Sequence, residues 1–176
     1  MTTASKITVA RILLVPVFMA AALFGYQLVA LFLFVLAGAT DWLDGYIARK
    51  YNQISNFGKF MDPLADKLLV TAALLLFVQW GRMPAWVLMV ILTREFVISG
   101  LRMMAATNGA VIAAGWSGKI KTAVTFLGII LMLTTFHDRI MFGGLTVDTL
   151  AVAAILVTTV YSGVEYLAKN YRVFLS

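Results

Sequence analysis

Six apolar runs, separated by short breaks, take up almost the whole chain. We read them as helices from about Ile7 to Phe24, Leu28 to Lys50, Gly58 to Trp80, Ala85 to Ala105, Gly118 to His137 and Val147 to Asn170. Gly25-Tyr26-Gln27 turns the chain after the first run. Gly81-Arg82-Met83-Pro84 does so after the third, with Pro where a helix start tolerates it. A loop rich in Gly and Ala, Thr107 to Ser117, precedes the fifth, and Asp138 to Thr146 links the fifth to the sixth. A spanning helix takes about 20 mostly apolar residues, so a chain this long has room for about six. A water-soluble domain is about 45–50% apolar and roughly 25% charged, whereas this chain is 62% hydrophobic and 12% charged, with mean hydropathy +0.94. The expected fold is an all-α integral membrane protein, one domain over residues 1–176. No repeat, low-complexity tract or cleavable signal interrupts that pattern. Cysteine is absent, which excludes disulfides and thiol chemistry.

The basic residues fix an expected orientation. With six spans, Lys6, Arg11, Arg49, Lys50, Lys59, Lys67, Arg94, Arg102, Lys119, Lys121, Lys169 and Arg172 lie on or toward one side, and only Arg82 and Arg139 on the other. Lys and Arg accumulate on the cytoplasmic side of membrane proteins, so both termini are expected there. The net charge of +6 thus speaks of orientation and not of nucleic acid. Arg11 reads as part of an interfacial helix start, and the four Trp with Tyr26, Tyr161 and Tyr166 as an interfacial belt. His137 reads as an exposed loop residue on the outer side.

Four of the eight acidic residues fall within 26 positions, Asp41 to Asp66, at the cytoplasmic ends of the second and third runs. Carboxylates at the edge of a hydrocarbon layer are costly and usually functional. Residues three and four apart share a helix face, so Asp41, Asp44 and Gly45 form one acidic face and Asp62 and Asp66 another. Hard carboxylate oxygens suit Mg²⁺ or Mn²⁺, whereas Zn²⁺ would want His or Cys. Mg²⁺ is normally shared between a few carboxylates and substrate phosphates, so a phosphate-bearing substrate is expected. Gly45 and Gly58 let a ligand approach the backbone, Ala48 is small, and Arg49 offers a planar fork for phosphate.

The run Asp41-x2-Asp44-Gly45-x2-Ala48-Arg49-x8-Gly58-x3-Asp62-x3-Asp66 resembles the signature of the CDP-alcohol phosphotransferase family at every fixed position. That resemblance implies six transmembrane helices, usually in a homodimer, and displacement of CMP from a CDP-linked substrate by an alcohol. It implies that Asp41, Asp44 and Asp62 ligate two divalent ions, while Asp66 contributes to the metal site and serves as general base. It also implies that Asp44, Gly45, Ala48, Arg49 and Gly58 line the CDP pocket, in a cavity facing the cytoplasm.

The acceptor must be chosen by the second half. Thr93-Arg94-Glu95 and Ser99-Gly-Leu-Arg102 put three charges into an apolar run, with Arg94 within about a quarter turn of Arg102. Arg94, lying mid-run, needs an anion or Glu95. Gly118-Lys119-Ile-Lys121 opens the fifth run, and the two lysines lie on opposite sides of a regular helix, so one of them is expected to face a site. Glu165 either reaches the cytoplasmic surface or pairs with Lys169 at i+4. Arg94-Glu-Phe-Val-Ile-Ser-Gly-Leu-Arg102 and Gly118-Lys-Ile-Lys-Thr-Ala-Val-Thr125 resemble the branch of the family that joins CDP-diacylglycerol to sn-glycerol 3-phosphate. Arg94, Arg102, Lys119 and Lys121 are then the candidate ligands of the acceptor phosphate. Ala4-Ser5 stands where that family often has Pro-Asn. Two other acceptors remain open, phosphatidylglycerol (a cardiolipin synthase) and inositol phosphate. From other classes, a divalent-cation transporter would want acidic residues continuing to the outer side, and a passive scaffold would tolerate Asp41→Ala.

Overall fold

A computed structural model of the chain describes residues 3–50, 56–107, 115–134, 139–142 and 144–171, and of 3–7, 41–50, 56–63, 66, 106–107 and 141–142 the backbone alone. Six long helices are found among them: α1 Thr3–Leu23, α2 Gln27–Lys50, α3 Asn56–Gln79, α4 Ala85–Thr107, α5 Trp116–Leu133 and α6 Val147–Asn170. Two short antiparallel strands, β1 Ile140–Phe142 and β2 Leu145–Thr146, precede α6. They occupy a stretch expected to be a plain linker. The fifth helix begins two residues earlier than expected and stops at Leu133, short of His137, which lies outside the described residues.

The chain divides into two compact units, Met1–Trp80 with Leu133–Thr135, and Gly81–Met132 with Phe136–Ser176. In the first, α1 packs against both α2 and α3. The reason is its period. Thr8, Arg11, Val15, Phe18 and Ala22 recur three and four residues apart and are all buried, which makes one continuous inner stripe. Ala30, Phe34 and Ala37 form the facing stripe of α2, with the Phe18 and Phe34 rings 5.9 Å apart. Ala65, Leu69, Ala72, Ala73 and Leu76 form that of α3. Small residues dominate these stripes, which lets helices approach closely where lipid gives no hydrophobic drive. The turn from α1 to α2 needs its glycine. Gly25 has φ 83°, its N–H reaches Ala22 O at 3.2 Å and the Tyr26 N–H reaches Ala21 O at 2.9 Å. That pattern is a Schellman cap, in which only glycine adopts the left-handed backbone without strain.

In the second unit α4 packs on α6, and α5 meets α6 where Gly128 lies against Ile155. A Cβ at Gly128 would stand 2.8 Å from Ile155 Cδ1. The start of α6 is capped by Thr146, whose hydroxyl accepts from the Thr149 N–H at 3.3 Å. Tyr166 is buried at 7% exposure beside Ile98 and Leu101, so it belongs to the core and not to an interfacial belt. Tyr26 and Tyr161 are both 65% exposed, Trp86 60% and Trp116 79%.

Among the described residues, α5 and α6 are apolar over a length sufficient to cross a membrane. Shorter apolar stretches, Thr8–Leu23, Gln27–Thr40 and Lys67–Gln79, lie in α1, α2 and α3. Large apolar side chains nevertheless face outward along them: Leu13, Phe32 and Leu75, as do Met89, Leu127 and Val157 in the second unit. Such surfaces are stable against lipid and unstable in water.

Candidate active site

The acids of the signature lie on two helices of the first unit. Asp41 and Asp44, with Gly45, Ala48 and Arg49, belong to the last turns of α2, and Gly58, Asp62 and Asp66 to the first turns of α3. Their side chains lie outside the described residues. The backbone still supplies their level in the fold. The short turn at Gly25 makes α1 and α2 antiparallel. Seven residues back from Phe18 is position 11, and seven on from its partner Phe34 is position 41. Arg11 therefore stands level with the acidic turn of α2. It is 3% exposed, so it faces inward at that level. Its signal was present in the sequence, since 8, 11, 15, 18 and 22 form one helical stripe.

The second unit carries a cluster of charge whose geometry is defined throughout. On α4 the buried stripe Val87, Leu88, Ile91, Ile98, Leu101 and Ala105 is interrupted at Arg94 and Glu95. Lys121 occupies the matching inner stripe of α5, above Thr125, Ile129 and Met132. These polar positions meet. Arg94 Nη1 donates to Glu95 Oε1 at 2.8 Å, and Lys121 Nζ donates to the same oxygen at 2.7 Å. The side chains of Arg94, Glu95 and Lys121 are 14%, 22% and 6% exposed. Adjacent helix residues point about 100° apart, so Arg94 must turn its long stem to reach Glu95. It does so against Gly163 of α6, where a Cβ would come 3.1 Å from Arg94 Cγ, and beside Gly118 of α5, where a Cβ would lie 3.8 Å from Nη2. Arg94 Nε is buried and has no hydrogen-bond partner among the described residues. An apolar groove of about 390 Å³ between α4 and α6 borders Arg94, with Met89, Val97, Val160 and Val164 in its walls.

Of the four expected acceptor ligands, Arg94 and Lys121 are thus brought together. The other two are turned elsewhere. Lys119 is exposed with its ammonium 5.1 Å from the Trp116 ring, and Arg102 is exposed with its guanidinium 5.4 Å from the Tyr166 ring. Glu165 takes the second of its two alternatives and accepts from Lys169 one turn on. One further ion pair had no local signal: Arg82 reaches across 66 residues to Asp148, Nε to Oδ2 at 2.6 Å and Nη2 to Oδ1 at 2.7 Å.

An ion cluster this enclosed adds little to stability, because desolvation offsets the attraction. Buried cations with donors left over are instead suited to an anion that arrives from solution. Comparison with known proteins shows the family. The family model for CDP-alcohol phosphatidyltransferases matches residues 1–163. The chain is 42% identical to the CDP-diacylglycerol–glycerol-3-phosphate 3-phosphatidyltransferase of Bacillus subtilis, over 96% of this chain and 94% of that one. It is 37% identical to a probable phosphatidylglycerophosphate synthase of Mycobacterium tuberculosis, over 96% and 81% of the two chains. It is also 37% identical to the Haemophilus influenzae protein named like the Bacillus one, over 92% and 89%. With the match running through all six helices and both charged regions, the chain belongs to the CDP-alcohol phosphatidyltransferase family.

Proposed function

We propose that the protein transfers the phosphatidyl group of CDP-diacylglycerol to sn-glycerol 3-phosphate, forming phosphatidylglycerophosphate and releasing CMP. The reading takes all six helices as membrane spans of one domain, with termini, acids and a polar cavity on the cytoplasmic side, and the protein as a homodimer. Support for the spans comes from the outward apolar side chains of both units, and support for the orientation from the twelve-to-two division of Lys and Arg.

The donor set at 41, 44, 62 and 66 is hard oxygen throughout. Among the described residues no group of three His, Cys, Asp or Glu side chains comes together. That chemistry fits Mg²⁺ or Mn²⁺, which Asp41, Asp44, Asp62 and Asp66 would hold together with the substrate's own phosphates. Bound there, two such ions would supply electrostatic stabilisation to the displacement at phosphorus. The buried stripe of α2, Ala30, Phe34 and Ala37, continued at the helical period, reaches positions 41, 44, 45 and 48. This supports an inward acidic face, and Arg11 at the same level supplies positive charge beside it.

The protein's own residues then act as follows. Gly45, Ala48 and Gly58 leave room for the CDP moiety along the backbone, and Arg49 forks onto its phosphates. Asp66 takes the proton of the acceptor's primary hydroxyl as that oxygen bonds to the phosphatidyl phosphorus, a role worth typically 10²–10⁴-fold. The bond from that phosphorus to the bridging oxygen breaks, and CMP departs with the oxygen. Arg94 and Lys121 hold the acceptor's phosphate, with Arg102 and Lys119 placed outside that grip. The observation that carries the acceptor assignment is this pair of cations gathered on Glu95.

The test is CMP release from CDP-diacylglycerol by the purified protein with Mg²⁺ and each alcohol in turn. Release with glycerol 3-phosphate is expected. Release only with phosphatidylglycerol or with inositol phosphate would overturn the acceptor assignment.

A further inference from the structure

We infer that Glu95 is a positioning residue of the acceptor-phosphate site, gathering Arg94 and Lys121 from two helices into one grip without touching the substrate. The inference deepens the proposed function and rests on it. A single carboxylate oxygen accepts from both cations, at 2.8 and 2.7 Å. The two nitrogens are therefore at most 5.5 Å apart, the sum of those two distances, although like charges left alone would separate. A lysine is a point charge on a flexible four-carbon stem. Lys121, only 6% exposed, is fixed in place by Glu95.

The grip stays open. One guanidinium N–H and one ammonium N–H of the pair are committed to Glu95 Oε1. Arginine has five donors and lysine three, and the Arg94 Nε–H has no partner among the described residues. A phosphate carrying a single alkyl group has three oxygens to accept the spare donors. The charges of Arg94, Glu95 and Lys121 sum to +1, so the cluster favours such a dianion while remaining only modestly charged when empty. Without Glu95 two buried cations would repel each other, and the site would have to be assembled anew by each arriving acceptor.

The experiment is steady-state CMP release by the full chain in detergent–lipid micelles, varying glycerol 3-phosphate and CDP-diacylglycerol separately. The proteins are the wild type, Glu95→Gln, Lys121→Met and the double variant. In Glu95→Gln the KM for glycerol 3-phosphate should rise about tenfold or more, with kcat and the KM for CDP-diacylglycerol within about threefold of wild type. In the Lys121→Met background the same change should have less than about a threefold effect, because the group that it positions has gone. Glu95→Asp keeps the charge on a shorter stem and should fall between wild type and Glu95→Gln; it carries the test if Glu95→Gln does not fold. An unchanged or lowered acceptor KM in the single variant overturns the inference. So does a fall in kcat that leaves both KM values alone, or full additivity in the double variant. A wild type that is silent with glycerol 3-phosphate but active with another phosphorylated alcohol overturns the acceptor assignment only, and the variants are then read with that alcohol.

Discussion

Two arginines of the second unit meet carboxylates, and they do so in opposite ways. Arg82 presents Nε and Nη2 to the two oxygens of Asp148, and Nη2 also donates to the carbonyl of Met132. Both side chains are nearly enclosed, at 12% and 10% exposure. This is a fork closed on its partner, joining the turn before α4 to the first turn of α6 and the end of α5. Arg94 shares one oxygen of Glu95 with Lys121, and keeps an N–H without a partner among the described residues. Equal charge and similar burial thus produce a closed fastening in one place and a partly open cluster, the proposed acceptor grip, in the other. What separates them is how many donors remain after the local carboxylate is served.

That contrast can be broken experimentally. The largest effect should come from chelation. EDTA should abolish CMP release and Mg²⁺ restore it, while neither ion pair of the second unit depends on the metal, so the thermal unfolding of α4–α6 should move far less than activity does. Next, Arg94→Ala should lower kcat/KM for the acceptor by roughly 10²-fold, as expected for the loss of charge-assisted hydrogen bonds, with CDP-diacylglycerol binding retained. Arg82→Leu should do the reverse. It leaves Asp148 enclosed without its partner and should cost roughly 3–5 kcal/mol of stability, while pairing it with Asp148→Leu should recover most of that loss. Denaturation in detergent measures both, and kcat of the folded fraction should stay near wild type. The smallest effect is Lys119→Ala, within about twofold of wild type in kcat/KM because a single exposed cation–π contact is worth about 0.5–1 kcal/mol. A Lys119 variant as damaged as Lys121→Met would show that the wrong lysine has been placed inside.

Much of the fold was legible because apolar period and glycine turns are local signals. The first four helices begin and end within a few residues of expectation, and the sixth run was read at its observed limits, Val147 and Asn170. The end of α5 was not legible: Leu131-Met-Leu-Thr-Thr-Phe136 continues apolar with no breaker, although the helix stops at Leu133. The strands beyond it are too short to show an alternation. In the site, helical period put Lys119 and Lys121 on opposite sides, but only packing could say which side faces inward. The Arg82–Asp148 pair spans 66 residues and is invisible to any local pattern. Arg11 and Tyr166 carry residue types common at membrane interfaces, and their burial depends on neighbours that come from other helices. The acidic signature was the clearest element of all, since its meaning lies in spacing along two helices and needs no long-range contact to be read.

Gly163 contributes no atom to any charge, yet it sets where one can stand. Because a methyl group there would press on the stem of Arg94 at 3.1 Å, the lateral reach of that cation is governed by bulk on a different helix. Tuning the enzyme toward a longer or shorter acceptor would therefore begin at a position that no inventory of polar groups would single out.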